Sequence, residues 1–347
     1  MSWHPLVLAI RLLDLIAWAI YAAAAWRLLS VLPHWQPQAA GDRQLRRERS
    51  LELVSYQAGW VAVMQAIGFV LLLVGVSNLW PSYVPGAMCG TGVLQAMGPA
   101  GEQTLIFKGV LLLLLYCRHT AERLDRTHPN ILLAPLNGRL LLLAAPLMAL
   151  GTWRFAVAVA GVDRHEPVNC CAVLYERIDT GDGWLPLAGS STMPDGIWAL
   201  ACFGGALLVA GWGWHHYRRP GIVGNTASWL AAGLLAVWGV SVVMALKTVV
   251  APYVYQVLYH PCPWCFFLVA HGAVGFVLFG VPAGVIAEGA AVLTARSVGF
   301  HRPALEEAAR RRMAGAGLRI WLGALLFAFA AAAPMLWWRL RFGAWMQ

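Results

Sequence analysis

Eight long apolar stretches decide what this chain can fold into. They run approximately over residues 5–30, 54–79, 103–117, 139–161, 195–215, 228–249, 264–287 and 318–338. Each is close to the roughly 20 residues needed to cross the hydrocarbon of a bilayer, where only a helix or a closed barrel satisfies every backbone polar group. The third stretch is the shortest; it either lies deeper or extends past its flanking charges, with Glu102 and Lys108 in the helix. With 60% hydrophobic and only 12% charged residues, a soluble globular protein is excluded, and the chain reads as an all-α integral membrane protein of about eight transmembrane helices.

The net charge of +9 does not point to nucleic acid, because its distribution follows the membrane. Arginines crowd alternate loops: Arg43, Arg46, Arg47 and Arg49; Arg118, Arg123 and Arg126; Arg218 and Arg219; then Arg296, Arg302, Arg310, Arg311 and Arg312. By the positive-inside rule these loops are cytoplasmic and both termini lie outside, Arg339 and Arg341 running against the pattern. The first helix has no basic leader and is expected to be a retained membrane helix, with Arg11 and Asp14 neutralising each other one turn apart. Asp42 to Arg49 reads as a short surface helix against anionic headgroups, and His301 to Gly315 as a capped cytoplasmic helix ended by its glycine.

Five of the seven cysteines fall on the opposite face. Cys89 sits in a glycine-rich loop, Cys170 and Cys171 in the long loop over 162–194, and Cys262 and Cys265 form a Cys-x-x-Cys. If that face is the outer side of a bacterial inner membrane, it is the side where disulfide chemistry persists. Cys262 and Cys265 are expected at the mouth of the seventh helix, whose free N–H groups and dipole favour a thiolate, with His260 placed to tune the first thiol. The cysteines read equally well as static disulfides bracing the outer loops.

Three other chemistries compete. Lys108, Arg154 and Lys247 fall in the outer halves of their helices, where they either line a polar cavity near the thiols or snorkel to the interface. His165, Glu166, Cys170, Cys171, His260, Cys262 and Cys265 include copper and zinc ligands, although their spacing matches no standard metal motif. For haem, His271 is the best placed histidine inside a helix, and Phe266 after Cys265 rules out a c-type attachment sequence.

The stretch Val257-Leu-Tyr-His-Pro-Cys-Pro-Trp-Cys265, followed by an apolar helix, resembles the vitamin K epoxide reductase family. The resemblance spans residues 139–287 and implies a four-helix redox core with a Cys-x-x-Cys beside a quinone pocket and shuttle cysteines in a long loop. It divides the chain into an N-terminal three-helix region (1–138) carrying the Cys89 loop, that core (139–287), and a cytoplasmic helix with the last membrane helix (288–347). Cys170 and Cys171 are adjacent, and a disulfide between neighbours closes a strained ring, so one of them is expected to pair with Cys89.

Together these readings favour a thiol–disulfide oxidoreductase that exchanges electrons between periplasmic thiol proteins and a quinone. Cys262 and Cys265 would be the active pair and Cys170, Cys171 and Cys89 the shuttles; Lys108, Arg154, Lys247 and His271 would serve the quinone. Two alternatives stand beside it: a non-catalytic subunit of a cytochrome-containing complex, and a protein that handles copper or zinc.

Overall fold

A computed structural model describes residues 1, 3–36, 41–163, 165–168, 195–221, 225–257 and 260–346. Every regular element among them is helical. The long helices are α1 (Pro5–Val31), α2 (Asp42–Val74), α4 (Pro99–Asp125), α5 (Ala134–Ala160), α6 (Asp195–Arg218), α7 (Asn225–Ala245), α9 (Gly275–His301) and α10 (Glu306–Phe342). Two short helices, α3 (Gly90–Met97) and α8 (Ala251–Tyr255), lie between them. Among the described residues, eight helical spans are long and apolar enough to cross a membrane, with mean hydropathy from 1.4 to 2.2, so the chain is an all-α, multi-pass membrane protein.

The chain divides into two compact units. The first comprises Met1–Val74, Ala100–Gly161 and Thr294–Arg312; the second comprises Gly75–Pro99, Val162–Leu293 and Met313–Gln347. In the first, the buried face of α1 repeats at alternating steps of three and four residues through Val7, Ile10, Asp14, Ala17, Tyr21, Ala24 and Leu28. The buried face of α2 does the same through Leu51, Val54, Ala58, Val61, Gln65, Gly68 and Leu72. A 3.5-residue seam on each partner is the geometry of knobs-into-holes packing, and α1 and α2 pack against each other. Leu8, Leu12 and Leu15 on the other side of α1 are exposed, as a lipid-facing surface requires.

Several boundaries correct the sequence reading. The third span is a full 27-residue helix, α4, which extends past its flanking charges, one of the two possibilities the sequence left open. Lys108 is 2% exposed, and its Nζ donates to Asp14 Oδ1 at 2.8 Å, Asp14 Oδ2 at 3.1 Å and Gln65 Oε1 at 3.2 Å. Asp14 is therefore the partner of Lys108, not of Arg11. Gln65 Nε2 also donates to Asp14 Oδ1 at 3.1 Å, which closes the triad. An ion pair this deep persists only when its members satisfy one another.

Asp42 to Arg49 forms no separate surface helix; it is the beginning of α2, which continues unbroken for 33 residues. Nor does Gly315 end a cytoplasmic helix. A 3-10 turn over Pro303–Leu305 leads into α10, which runs 37 residues through Gly315 and Gly317. A Cβ at Gly317 would stand 2.5 Å from the Gly213 carbonyl oxygen, and one at Gly213 would stand 2.8 Å from that of Gly317. These glycines serve close approach of α6 and α10 rather than chain termination.

Candidate functional site: three thiols on two interrupted helices

All residues of the site belong to the second unit and come from two arms of similar construction. In the first arm the helical path of α2 widens into a π-turn over Gly75–Leu79, tightens into a 3-10 turn over Trp80–Tyr83, and reaches Cys89. Cys89 is the extended residue immediately before α3. In the second arm α7 widens into a π-turn over Leu246–Val250 and continues as α8, which ends at Gln256 in the left-handed conformation, φ 59°. Each π-turn is followed by a proline at the second position of the next turn, Pro81 and Pro252. π-turns interrupt regular helix, and they recur where side chains must be re-aimed at a functional site.

The Cys-x-x-Cys does not open the seventh membrane helix, as its sequence suggested. Cys265–Phe267 and Val269–His271 are separate 3-10 turns, and α9 begins only at Gly275. Leu268 is extended, while Gly272 at φ 68° and Ala273 at φ 52° are left-handed, so no α-helix can propagate from Cys262 to α9. The expected helix-dipole stabilisation of a thiolate therefore has no long helix behind it. The thiols are held by specific neighbours instead.

Cys89 Sγ lies 3.4 Å from Cys262 Sγ, and the sulfurs of Cys89, Cys262 and Cys265 all lie within 4.8 Å of one another. Exposures of 2%, 0% and 6% put all three out of solvent. The approach depends on Gly90: a Cβ there would sit 2.8 Å from the Trp264 ring, inside the Cys-Pro-Trp-Cys turn. Asn78, in the first π-turn, donates from Nδ2 to the Phe267 carbonyl at 3.1 Å and so fastens one arm to the other. Tyr255 donates its hydroxyl to the Cys262 carbonyl at 2.6 Å, and its ring packs on His260, Phe266 and His271 at centroid distances of 5.3, 5.0 and 4.7 Å.

The three sulfurs are not equivalent. The Cys262 thiol is held well below the ordinary range because its sulfur receives hydrogen bonds, first from Cys265, then from Cys89 and from Thr91. The Thr91 hydroxyl lies at 3.1 Å. Cys265 is pushed up, because it supplies the hydrogen bond to Cys262 and faces that neighbour's charge. His260 Nε2 is 3.1 Å from Cys265 Sγ, so its contact is with the second thiol rather than the first. His271 is held below the usual imidazole range by burial and then by the nearby His260.

The remaining expected residues separate. Lys247 stands in the second π-turn, buried, within electrostatic reach of Cys262. Lys108 and Arg154 belong to the first unit, Lys108 bound in its triad and the Arg154 guanidinium 4.7 Å over the Trp153 ring. Of the three cations expected near the thiols, Lys247 belongs to the thiol-bearing unit. His271 precedes α9 instead of lying inside a membrane helix.

Cys170 and Cys171, proposed shuttles and metal ligands, lie outside the described residues. No disulfide joins Cys89, Cys117, Cys202, Cys262 and Cys265 to one another. Val168, two positions before Cys170, donates its N–H to the Pro85 carbonyl at 2.9 Å, and Gly86 at φ 77° leaves no room there for a Cβ. Sequence reasoning missed Thr91, Asn78 and the capping hydroxyl of Tyr255. Thr91 lies between two glycines beside Cys89, a local cue; Asn78 carried none.

The arrangement offers one readily ionised thiol beside two others, a histidine in contact with one of them, and aromatic walls. Phe267 stacks on Phe279 at 5.4 Å and meets Phe276 edge-on at 5.0 Å. No family model matches the chain, and no curated protein or solved structure does so.

Proposed function

We propose that this protein is a membrane thiol–disulfide oxidoreductase that passes electrons from thiol proteins on the outer face of a bacterial inner membrane to a quinone, with both termini on that outer side. The observation that carries this reading is the 3.4 Å contact between Cys89 and Cys262, with Cys265 in reach of both. Closing that gap to a disulfide of about 2.05 Å takes a shift of about 1.4 Å, small against the range of a loop-borne side chain.

The chemistry balances as follows. Cys89 and Cys262 together lose two electrons and two protons as their S–S bond forms, and the quinone gains two electrons and two protons to become quinol. The Cys265 sulfur then attacks Cys262, which moves the disulfide to Cys262–Cys265 and releases Cys89. A dithiol substrate reverses the oxidation through a mixed disulfide: its first thiolate attacks the bond, its second displaces the site, and it leaves oxidised. The aromatic residues around Phe267 offer a flat apolar surface for the quinone ring, and Lys247 offers a cation for the anionic states of the cycle. The resemblance over residues 257–265 supports the same reading.

The test is differential thiol trapping of the full chain in lipid, before and after mild reductant and then after quinone, with mass spectrometry of the linked peptides. A bond among Cys89, Cys262 and Cys265 that opens readily and reforms with quinone is the expected result. Bonds that resist reductant and ignore quinone sink the proposal and leave a structural subunit of a larger electron-transfer assembly.

A further inference from the structure

The same three sulfurs meet a second chemical requirement, independent of turnover. A metal–sulfur bond of about 2.3 Å separates the sulfurs by about 4.0 Å in a trigonal site and about 3.8 Å in a tetrahedral one. Cys89 and Cys262 stand 3.4 Å apart and no pair of the three exceeds 4.8 Å, so small shifts bring the three onto one ion. Two of the ligands, Cys262 and Cys265, share one turn, and the third arrives from the other arm across 173 residues of sequence. Asn78 and Gly90 fix that approach from the backbone side, so the tripod does not depend on the metal to assemble it.

We infer that the reduced Cys89–Cys262–Cys265 cluster is a binding site for one monovalent copper ion in trigonal thiolate coordination. Soft sulfur ligands select copper(I), whereas zinc completes a tetrahedron and takes a fourth ligand. Among the described residues, the group whose ligand atoms lie mutually close enough contains three cysteines and no carboxylate or histidine. Burial at 0–6% exposure keeps bulk water from the ion, and Lys247 offsets part of the negative charge of a copper trithiolate. Each thiol that becomes a ligand gives up its proton, and no electron is transferred. Oxidation to a Cys89–Cys262 disulfide removes two of the three ligands, so copper occupancy and the disulfide exclude one another. The site follows from the reduced geometry and stands whether or not the oxidoreductase reading does.

The experiment is anaerobic titration of the reduced full chain in lipid nanodiscs with copper(I) against a chromogenic chelator, followed by X-ray absorption spectroscopy of the wild-type protein. The expected result is one copper per chain with a shell of about three sulfurs, absent after oxidation. Cys89→Ser and Cys265→Ser should each lower the stoichiometry from one to near zero. Cys202→Ser should leave it at one.

No retained copper overturns the inference; so does a nitrogen- or oxygen-dominated shell, a Cys89→Ser variant that still binds, or zinc held in preference to copper. The sulfur count needs no variant, so a misfolded mutant does not blunt the test. Quinone-linked thiol turnover measured in the same copper-free preparation separates the two proposals. Turnover without copper binding removes only this one, and copper binding without turnover removes only the oxidoreductase.

Discussion

Among the buried clusters of polar groups, the lysine triad of the first unit and the thiol cluster of the second are built on opposite principles. Asp14, Gln65 and Lys108 stand on uninterrupted stretches of α1, α2 and α4, and the lysine ammonium and aspartate carboxylate cancel in charge. Cys89, Cys262 and Cys265 stand on turns, beyond π-interrupted helices, and crowd three acidic groups of the same kind within 4.8 Å. The first cluster has one satisfied arrangement and resists change. The second gains from either bonding two sulfurs or placing a cation between them, which makes it a seat of chemistry. Regular helix suits the former because neighbouring turns fix the side chains; the latter needs a backbone that leaves the helical path.

The widest separation between the clusters should come from Cys262→Ser. It is expected to reduce thiol–disulfide turnover at least about a thousandfold, equivalent to about 4 kcal/mol in the barrier, while the thermal midpoint in detergent changes little. A large loss of stability instead would make the thiol cluster a structural element like the triad. Asp14→Ala should do the reverse, costing about 3–5 kcal/mol in unfolding experiments because it strands a buried ammonium. Adding Lys108→Met should restore most of that stability, and a double variant no better than the single one would show that the pair is not the source.

Gly90→Ala comes next. The new Cβ meets the Trp264 ring at 2.8 Å and must push the Cys89 arm away, at about 1–3 kcal/mol of overpacking. The yield of a Cys89–Cys262 crosslink should fall about tenfold or more, read by mass spectrometry, and an unchanged yield would mean the close approach is not needed. Thr91→Val sharpens the electrostatic side. It removes a hydroxyl donor to Cys262, so the acid limb of metal-free thiol–disulfide exchange should move to higher pH, by an amount set by about 1.5–3 kcal/mol for a hydrogen bond to a charged group.

The linked stability has a definite sign. Because Cys262 is depressed when folded, its contribution is fully present above the unfolded thiol value of about 8.5 and is lost as pH falls through its folded value. Cys265, raised when folded, contributes in the opposite direction: fully below about 8.5 and lost as pH rises through its folded value. The smallest effect belongs to Arg311→Ala. Its ion pair with Glu307 joins side chains 80% and 69% exposed, so thermal unfolding should register no more than about 0.5 kcal/mol.

The sequence made parts of this contrast readable and hid others. Cys262 and Cys265 were legible as a pair because their spacing is local, yet the helix expected to carry them was misplaced. Apolar composition continues through Phe266, Phe267 and Val269 without recording that Gly272 and Ala273 turn left-handed. Lys108 was legible as a costly intramembrane charge, but Asp14 was paired with Arg11 one turn away, whereas it answers Lys108 from 94 residues away. Lys247 was left open between lining a cavity and snorkelling to the interface, and burial at 7% exposure decides for the interior.

The sequence by itself determined the all-helical membrane architecture, since transfer of each apolar segment into lipid is a sum over its own residues, whatever the other segments do. It also determined which residue types were available for thiol chemistry. Only the tertiary structure decided that Cys89 meets Cys262 across 173 residues while Asp14 closes on Lys108. Such meetings depend on where two backbones stop being helical and how closely their glycines let them pass, which is a property of packing rather than of any one segment.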